Sequence, residues 1–515
     1  MDNRLQLTTT IEGIRYLVNQ AMAFRGHDES VDSSNRGNFI EILKSFARMN
    51  IEVEKVVLDN APHNAQYIAH DIEKQILHIF ATKVKKKICS ELGKNKYCIL
   101  VDESLDELGK EQMAIILRFV DCDGFIRERF FDIVSVVDTN ALTLKQEICK
   151  VLDNNGILVE NMCGQGYDGA SNMRGSWNGL QALFLQDCPY AYYVHCFAHR
   201  LQLALNGAAK DVKVVWRFFS MLTNIVNFFS ASAKRRNELN LIRKAELKEL
   251  LDSGELETGR GLNQGRSLKR AGATRWGSHF ASITSLMSLF KETKILLQEI
   301  SDYGPNQQFR GDAESNYIAM MSFEFVFALL LMDKIMGLTN FLYQVFQRKA
   351  QDIVIELLIL SSALDPRNSF KSFNIGHLCK LAEKLYPADF SPSDLKALEI
   401  ELRYFQNDMH RLPYFKDLTT LPQLCQQLVE TTLAENYDLL YRLIQLVLTL
   451  PVSTATTERT FSCMTIIKNR LWSTIADEFL PDCMILHIER EFANNFDNEE
   501  IIEEFKISKP RRVKF

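Results

Sequence analysis

Three apolar runs in quick succession, 97–101, 113–120 and 125–137, constrain this chain more than any other feature. Polar or Asp-Gly-containing turns separate them, so they read as consecutive strands of an antiparallel meander. A helical pattern follows over 142–152, closed by Asp153-Asn154-Asn155-Gly156. Next come a fourth strand over 157–162, a helix near 177–185, a fifth strand over 191–194 and a helix from about His199. The order β-β-β-α-β-α-β-α defines an α/β fold rather than an all-β or all-helical one.

Helices flank this core. Ile11, Ile14, Leu17 and Val18 recur at helical spacing, and 68–80 continues the pattern. From about 210 to 430 strands give way to long amphipathic helices such as 214–229 and 325–346, broken by a Gly-rich charged stretch at 253–279 and a Pro-containing one at 386–392. The last part holds an apolar helix ending at Pro451, a helix over 458–470 and another over 477–492. At 515 residues the chain has room for two to four domains.

Sixty basic against 65 acidic side chains leave a formal charge of −5, so nucleic-acid contact requires a local patch. The longest uninterrupted apolar run, 325–332, is far short of the roughly 20 residues a bilayer demands, and no membrane partner is expected. Eleven cysteines without a Cys-x-x-Cys pair predict reduced thiols and argue against a zinc ribbon. No secretory signal opens the sequence, which predicts an intracellular protein.

Asp102 directly follows the first apolar run, and Asp168 follows the fourth strand. Carboxylates at the ends of neighbouring strands converge if those strands pair, and such oxygen ligands suit Mg²⁺ or Mn²⁺ in phosphoryl transfer. Either aspartate alone is more simply a turn or cap residue. Gly164, Gly166 and Gly169 spell Gly-x-Gly-x-x-Gly, with Asp187 downstream, yet three antiparallel strands precede them and Asp168 would set negative charge against a pyrophosphate. No nicotinamide cofactor is therefore expected. His195, Cys196 and His199 make half a zinc site with no second pair, which favours a structural or site-lining role. Glu458 and Arg459 open a helix, where a glutamate also suits the helix dipole. Between Thr258 and Lys291 no acidic residue interrupts Arg260, Arg266, Lys269, Arg270 and Arg275, with Trp276 beside the last. That composition fits phosphate and an unstacked base, and fits a solvated loop equally well.

Taken together, 99–104 (ILVDES), 164–173 (GQGYDGASNM), 195–201 (HCFAHRL), 274–276 (TRW) and 456–462 (TTERTFS) resemble, in order, the motifs of hAT-family transposases. Within that family the sequence is most similar to the zinc finger MYM-type 1-like and TTF-type zinc finger proteins of plants. The resemblance implies an RNase H-like mixed-sheet core interrupted by a large all-α insertion. It divides the chain into a helical region at 1–90, the first part of the core at 91–209, the insertion at 210–430, a C-terminal dimerisation region at 431–500 that completes the core, and a basic tail at 501–515. It implies Asp102, Asp168 and Glu458 as catalytic ligands of Mg²⁺ or Mn²⁺. It further implies Cys196 and His199 near the DNA, a base-stabilising Trp276 with Arg266, Lys269, Arg270 and Arg275 around it, a homodimer through the C-terminal helices, and a nuclear location. Residues 1–90 hold only Cys89, so the family's N-terminal zinc finger has no counterpart in this sequence, which reads as truncated or domesticated. Two functions follow: a metal-dependent DNA strand-cleaving transposase, or a non-catalytic nuclear dimerisation and DNA-associated regulator.

Overall fold

The computed structural model describes residues 2–509 apart from 31, 63–65, 107, 168–169, 176, 196–206, 208–211, 253–266, 272–275, 348–358, 452–454 and 472–478. Strands β1 (Tyr97–Leu105), β2 (Glu111–Val120), β3 (Ile126–Val136), β4 (Met162–Tyr167) and β5 (Tyr192–His195) form one mixed sheet in the order β3-β2-β1-β4-β5. β1, β2 and β3 pair antiparallel through short turns. β4 pairs parallel with β1, and β5 parallel with β4. Parallel neighbours need crossovers, and α4 (Ala141–Asn154) and α5 (Leu180–Asp187) supply helices for them. The longer N-terminal helices are α1 (Asp2–Asn19), α2 (Asn38–Met49) and α3 (His70–Leu92).

The fourth strand lies five residues later than its sequence expectation. Val159–Asn161 forms a 3-10 turn, and Gly164 and Gly166 sit inside β4. Their lack of a side chain is what the packing uses. A Cβ at Gly164 would lie 2.5 Å from Leu450 Cδ2, and one at Gly166 2.7 Å from Leu100 Cδ2 and 2.9 Å from Pro451 Cγ. The two glycines thus let the 450–451 segment approach the sheet closely.

The described residues fall into two compact units, 1–196 with 350–515, and 197–349. In the first, both ends of the chain meet. α1 and α3 pack with α17 (Leu480–Ile488) and α19 (Asn498–Ser508), and Arg15 donates to the Phe496 carbonyl at 2.9 Å. α17 also lies against β3. The helices α12 (Ile375–Leu385), α13 (Pro392–Arg411) and α14 (Leu421–Glu430), which the sequence assigns to the insertion, share a core in this unit with α15 (Asp438–Thr449), Val120 of β2 and Cys163 of β4.

The second unit is all-helical: α6 (Lys213–Ser230), α7 (Ala233–Asp252), α8 (Trp276–Ser288), α9 (Phe290–Tyr303), α10 (Gln307–Met321) and α11 (Phe323–Gln347). Phe218, Leu222, Ile225, Leu286, Leu297, Phe325 and Met332 are among its buried residues. Among the described residues, no helix of either unit is long and apolar enough to cross a membrane.

Candidate active site

β1 is buried from Tyr97 to Val101 and half-buried from Asp102 to Ser104, so Asp102 is the first side chain to leave the core. Its Oδ1 accepts the Glu103 amide at 3.0 Å. Its Oδ2 accepts a hydrogen bond from Thr457 Oγ1 at 3.2 Å, across 355 residues of sequence. Thr457 lies in the first turn of α16 (Ala455–Leu471), and the half-buried Glu458 is its neighbour.

α16 reaches the sheet because one face is built for it. Thr457, Thr460, Phe461, Met464, Ile467 and Lys468 are buried at helical spacing, and the helix packs on β1 and β2. Its far end is held by Lys468, whose ammonium donates to Asp106 Oδ2 in a buried ion pair. Asp106 also accepts the amides of Leu108 and Lys110 at 2.8 and 2.9 Å. Burial pushes the Asp106 carboxyl up, but Lys468 and these amides outweigh it and hold it below the usual carboxylate range. Contacts at 457 with 102 and at 468 with 106 set the helix running along β1, its N-terminus beside Asp102.

The chain segment leading into α16 is held by residues that sequence reasoning missed. Arg118 and Glu128 face each other across β2 and β3 and form a buried ion pair at 2.6 Å. Arg118 also donates to the Leu448 carbonyl at 2.9 Å and the Thr449 carbonyl at 3.2 Å, satisfying the end of α15. Glu128 in turn accepts the hydroxyl of Thr456. One ion pair thus grips the end of α15 on one side and Thr456 at the start of α16 on the other. An arginine inside the apolar run of β2 was the available signal.

On β4, the last pair with β1 is Leu100↔Gly166; Asp102 stands two residues beyond Leu100 in β1, and Asp168 is two positions beyond Gly166 in the sequence. Asp168 itself lies outside the described residues, as do Cys196, His199, Arg266 and Arg275. Among the described residues no three His, Cys, Asp or Glu side chains cluster as a metal site. The motif around Asp168 is tied to β1 by Asn172, whose Nδ2 donates to Glu103 at 3.3 Å and to the Thr139 carbonyl at 2.9 Å. Gln165, fully buried, donates to the Ala191 carbonyl at 2.8 Å and accepts from Tyr167 at 2.9 Å. The carboxylates the structure describes at this end of β1 are Asp102 and Glu103.

Lys269 and Arg270 belong to the second unit and are exposed; the Lys269 amide donates to Ser285 Oγ at 3.0 Å, anchoring their backbone to α8. Trp276 begins α8. The apolar helices expected to pack within one chain as well as across a dimer bury the following side chains within one chain: Leu440, Leu443, Ile444 and Leu446 of α15, and Cys483, Met484 and Ile485 of α17.

Two family models match the chain. The ZMYM1/FAM200, RNase-like domain covers residues 1–179, and the hAT family C-terminal dimerisation region covers 430–492. The chain thus joins an RNase-like domain to a hAT dimerisation region, a combination consistent with a hAT-derived protein. It is similar to the human "52 kDa repressor of the inhibitor of the protein kinase", 20% identical over 71% of this chain and 48% of the relative. The mouse protein of the same name is 20% identical over 82% of this chain and 56% of the relative. The chain thus spans about half the length of these curated relatives.

Proposed function

We propose that this protein acts on DNA as a hAT transposase-like homodimer, with Asp102, Asp168 and Glu458 as the ligands of Mg²⁺ or Mn²⁺ in strand cleavage. The observation that carries this reading is the Thr457–Asp102 hydrogen bond, which brings the residue adjoining Glu458 to the strand that bears Asp102. The divalent ion, when bound, supplies positive charge at the scissile phosphate and a more acidic water. The chain's own part is to hold carboxylates in place. Strand β1 fixes the Asp102 backbone, Glu103 N–H and Thr457 O–H orient its carboxylate, and the Arg118–Glu128 pair holds Thr456, two residues ahead of Glu458. DNA contacts are assigned to Lys269 and Arg270, whose exposure supports the role, and to Arg266, Arg275, Trp276, Cys196 and His199. The nucleus is the corresponding location.

The second reading, a domesticated regulator that associates with DNA and dimerises without cutting, is favoured by the relatives' designation as a repressor. Purified protein with Mn²⁺ and duplex DNA separates the two. Metal-dependent nicking lost in both Asp102→Asn and Glu458→Gln supports the nuclease. A salt-sensitive gel shift without nicking supports the regulator, and the absence of both removes DNA from the account.

A further inference from the structure

A cleft of about 570 Å³ opens in the second unit where α7 meets α9 and the start of α10, a size that suits a small-molecule site. Leu241, Ile242, Leu296, Ile300 and Phe309 give it an apolar lining, and Leu241 and Phe309 are 57% and 38% exposed. Arg235, in the first turn of α7, lines it too. Its guanidinium lies over the rings of Phe228 and Phe309, 4.3 and 5.2 Å from their centroids. Among the described residues the Arg235 side chain makes no hydrogen bond or ion pair, and its Nε is sealed from solvent. Arg243, two turns further along the same helix, pairs with Glu292 at 2.8 Å and with Glu246 at 3.5 Å. A partly desolvated guanidinium without an acceptor carries a cost that aromatic faces offset only in part.

We infer that this cleft binds a small organic monocarboxylate with an apolar body, its carboxylate on the Arg235 guanidinium and its body against Leu241, Leu296 and Ile300. A guanidinium presents a planar pair of donors that one carboxylate matches with two hydrogen bonds. The surrounding charge selects a monoanion. Glu238 and Glu299 also line the cleft; Glu238 faces Lys234 at 3.8 Å, and Glu299 is exposed to solvent. Arg235 is left as the partly desolvated charge that lacks a counter-charge among the described residues of the cleft. A phosphate dianion or a nucleic-acid strand would set further negative charge beside two glutamates. The apolar body follows from the lining, because covering Leu241 and Phe309 adds binding free energy that the ion pair alone does not supply. No residue of the cleft belongs to the carboxylate set or to the assigned DNA contacts, so this ligand does not depend on strand cleavage.

Isothermal titration of the full chain with decanoate, kept below the concentration at which decanoate self-associates, tests this, with decanol and inorganic phosphate as comparison ligands. The wild type binds decanoate saturably and decanol more weakly, and phosphate does not displace decanoate. Arg235→Gln weakens decanoate binding about tenfold or more, as expected for the loss of charge-assisted hydrogen bonds, and leaves decanol binding unchanged. Leu241→Glu, at an exposed position of the apolar lining, weakens both ligands. Far-UV circular dichroism and the melting transition of each variant match the wild type, so lost binding is not lost fold. Decanoate that binds the wild type no more tightly than decanol, or binds Arg235→Gln as tightly as the wild type, overturns the inference. Phosphate that displaces decanoate overturns it as well, by making the site one for phosphate.

Discussion

Replacing Arg118 with Met removes one member of a buried ion pair and two donors to the end of α15. Both side chains of the pair are almost fully buried, at 3% and 6% exposure, so the discount for a solvated surface pair does not apply. Breaking such a pair from one side costs about 3–5 kcal/mol, because the remaining charge stays buried. Each carbonyl left unpaired adds about 1 kcal/mol or more where water cannot reach it, and the terms overlap. A loss of about 4 kcal/mol is a large share of the roughly 5–15 kcal/mol that holds a folded protein together. Urea unfolding followed by circular dichroism would shift its midpoint down by about 1 M for a slope near 3–4 kcal/mol/M. Hydrogen exchange should locate the damage in residues 448–460, the end of α15 and the start of α16. The Arg118→Met, Glu128→Met pair should recover most of the loss, since no lone charge is then left inside. A single variant that loses under about 1 kcal/mol, the value of an exposed pair, refutes the clamp, and so does a double variant no better than the single.

Gly166→Ala places a Cβ against Leu100 and Pro451 and should cost about 1–3 kcal/mol in the same unfolding assay, against little effect for Gly207→Ala, which has open space. Lys468→Met strands the Asp106 carboxylate. The wild-type pair contributes stability above the ordinary aspartate range that is lost as pH falls through the depressed Asp106 value, and the variant should lose this acid-side dependence. Burial raises the Glu73 carboxyl from 4.5 to about 7, with Arg25 opposing it. The folded state therefore holds this proton more tightly than the unfolded one. Stability falls as pH rises from 4.5 to about 7 and flattens above, and Glu73→Gln should remove that slope in pH-dependent melting curves.

Apolar runs and turn residues made the meander legible, because three strands joined by short turns have few arrangements. The boundary of β4 was not legible. Glycines at 164 and 166 signal a loop until one knows that Leu450 and Pro451 press on the strand, a contact spanning nearly 300 residues. Arg118 and Glu128 were half-legible: they are equidistant from the Asp121–Phe125 turn, so hairpin counting pairs them, but nothing local says that α15 ends on Arg118. Amphipathic helices reveal a buried face without revealing which core buries it, and α12 to α14 show the consequence. The position of Glu458 came from family resemblance alone; a glutamate in a first helical turn looks the same whether it serves the dipole or a distant aspartate.

The account stands on three carboxylates from distant parts of the chain acting as one ligand set, and Mn²⁺ binding tests it most directly. Titration of the full chain, with free Mn²⁺ followed by electron paramagnetic resonance, should show binding in the wild type and marked weakening in each of Asp102→Asn, Asp168→Asn and Glu458→Gln. Combined variants should be little worse than single ones, because the groups share a site. Glu458→Gln that binds Mn²⁺ as the wild type does would contradict it.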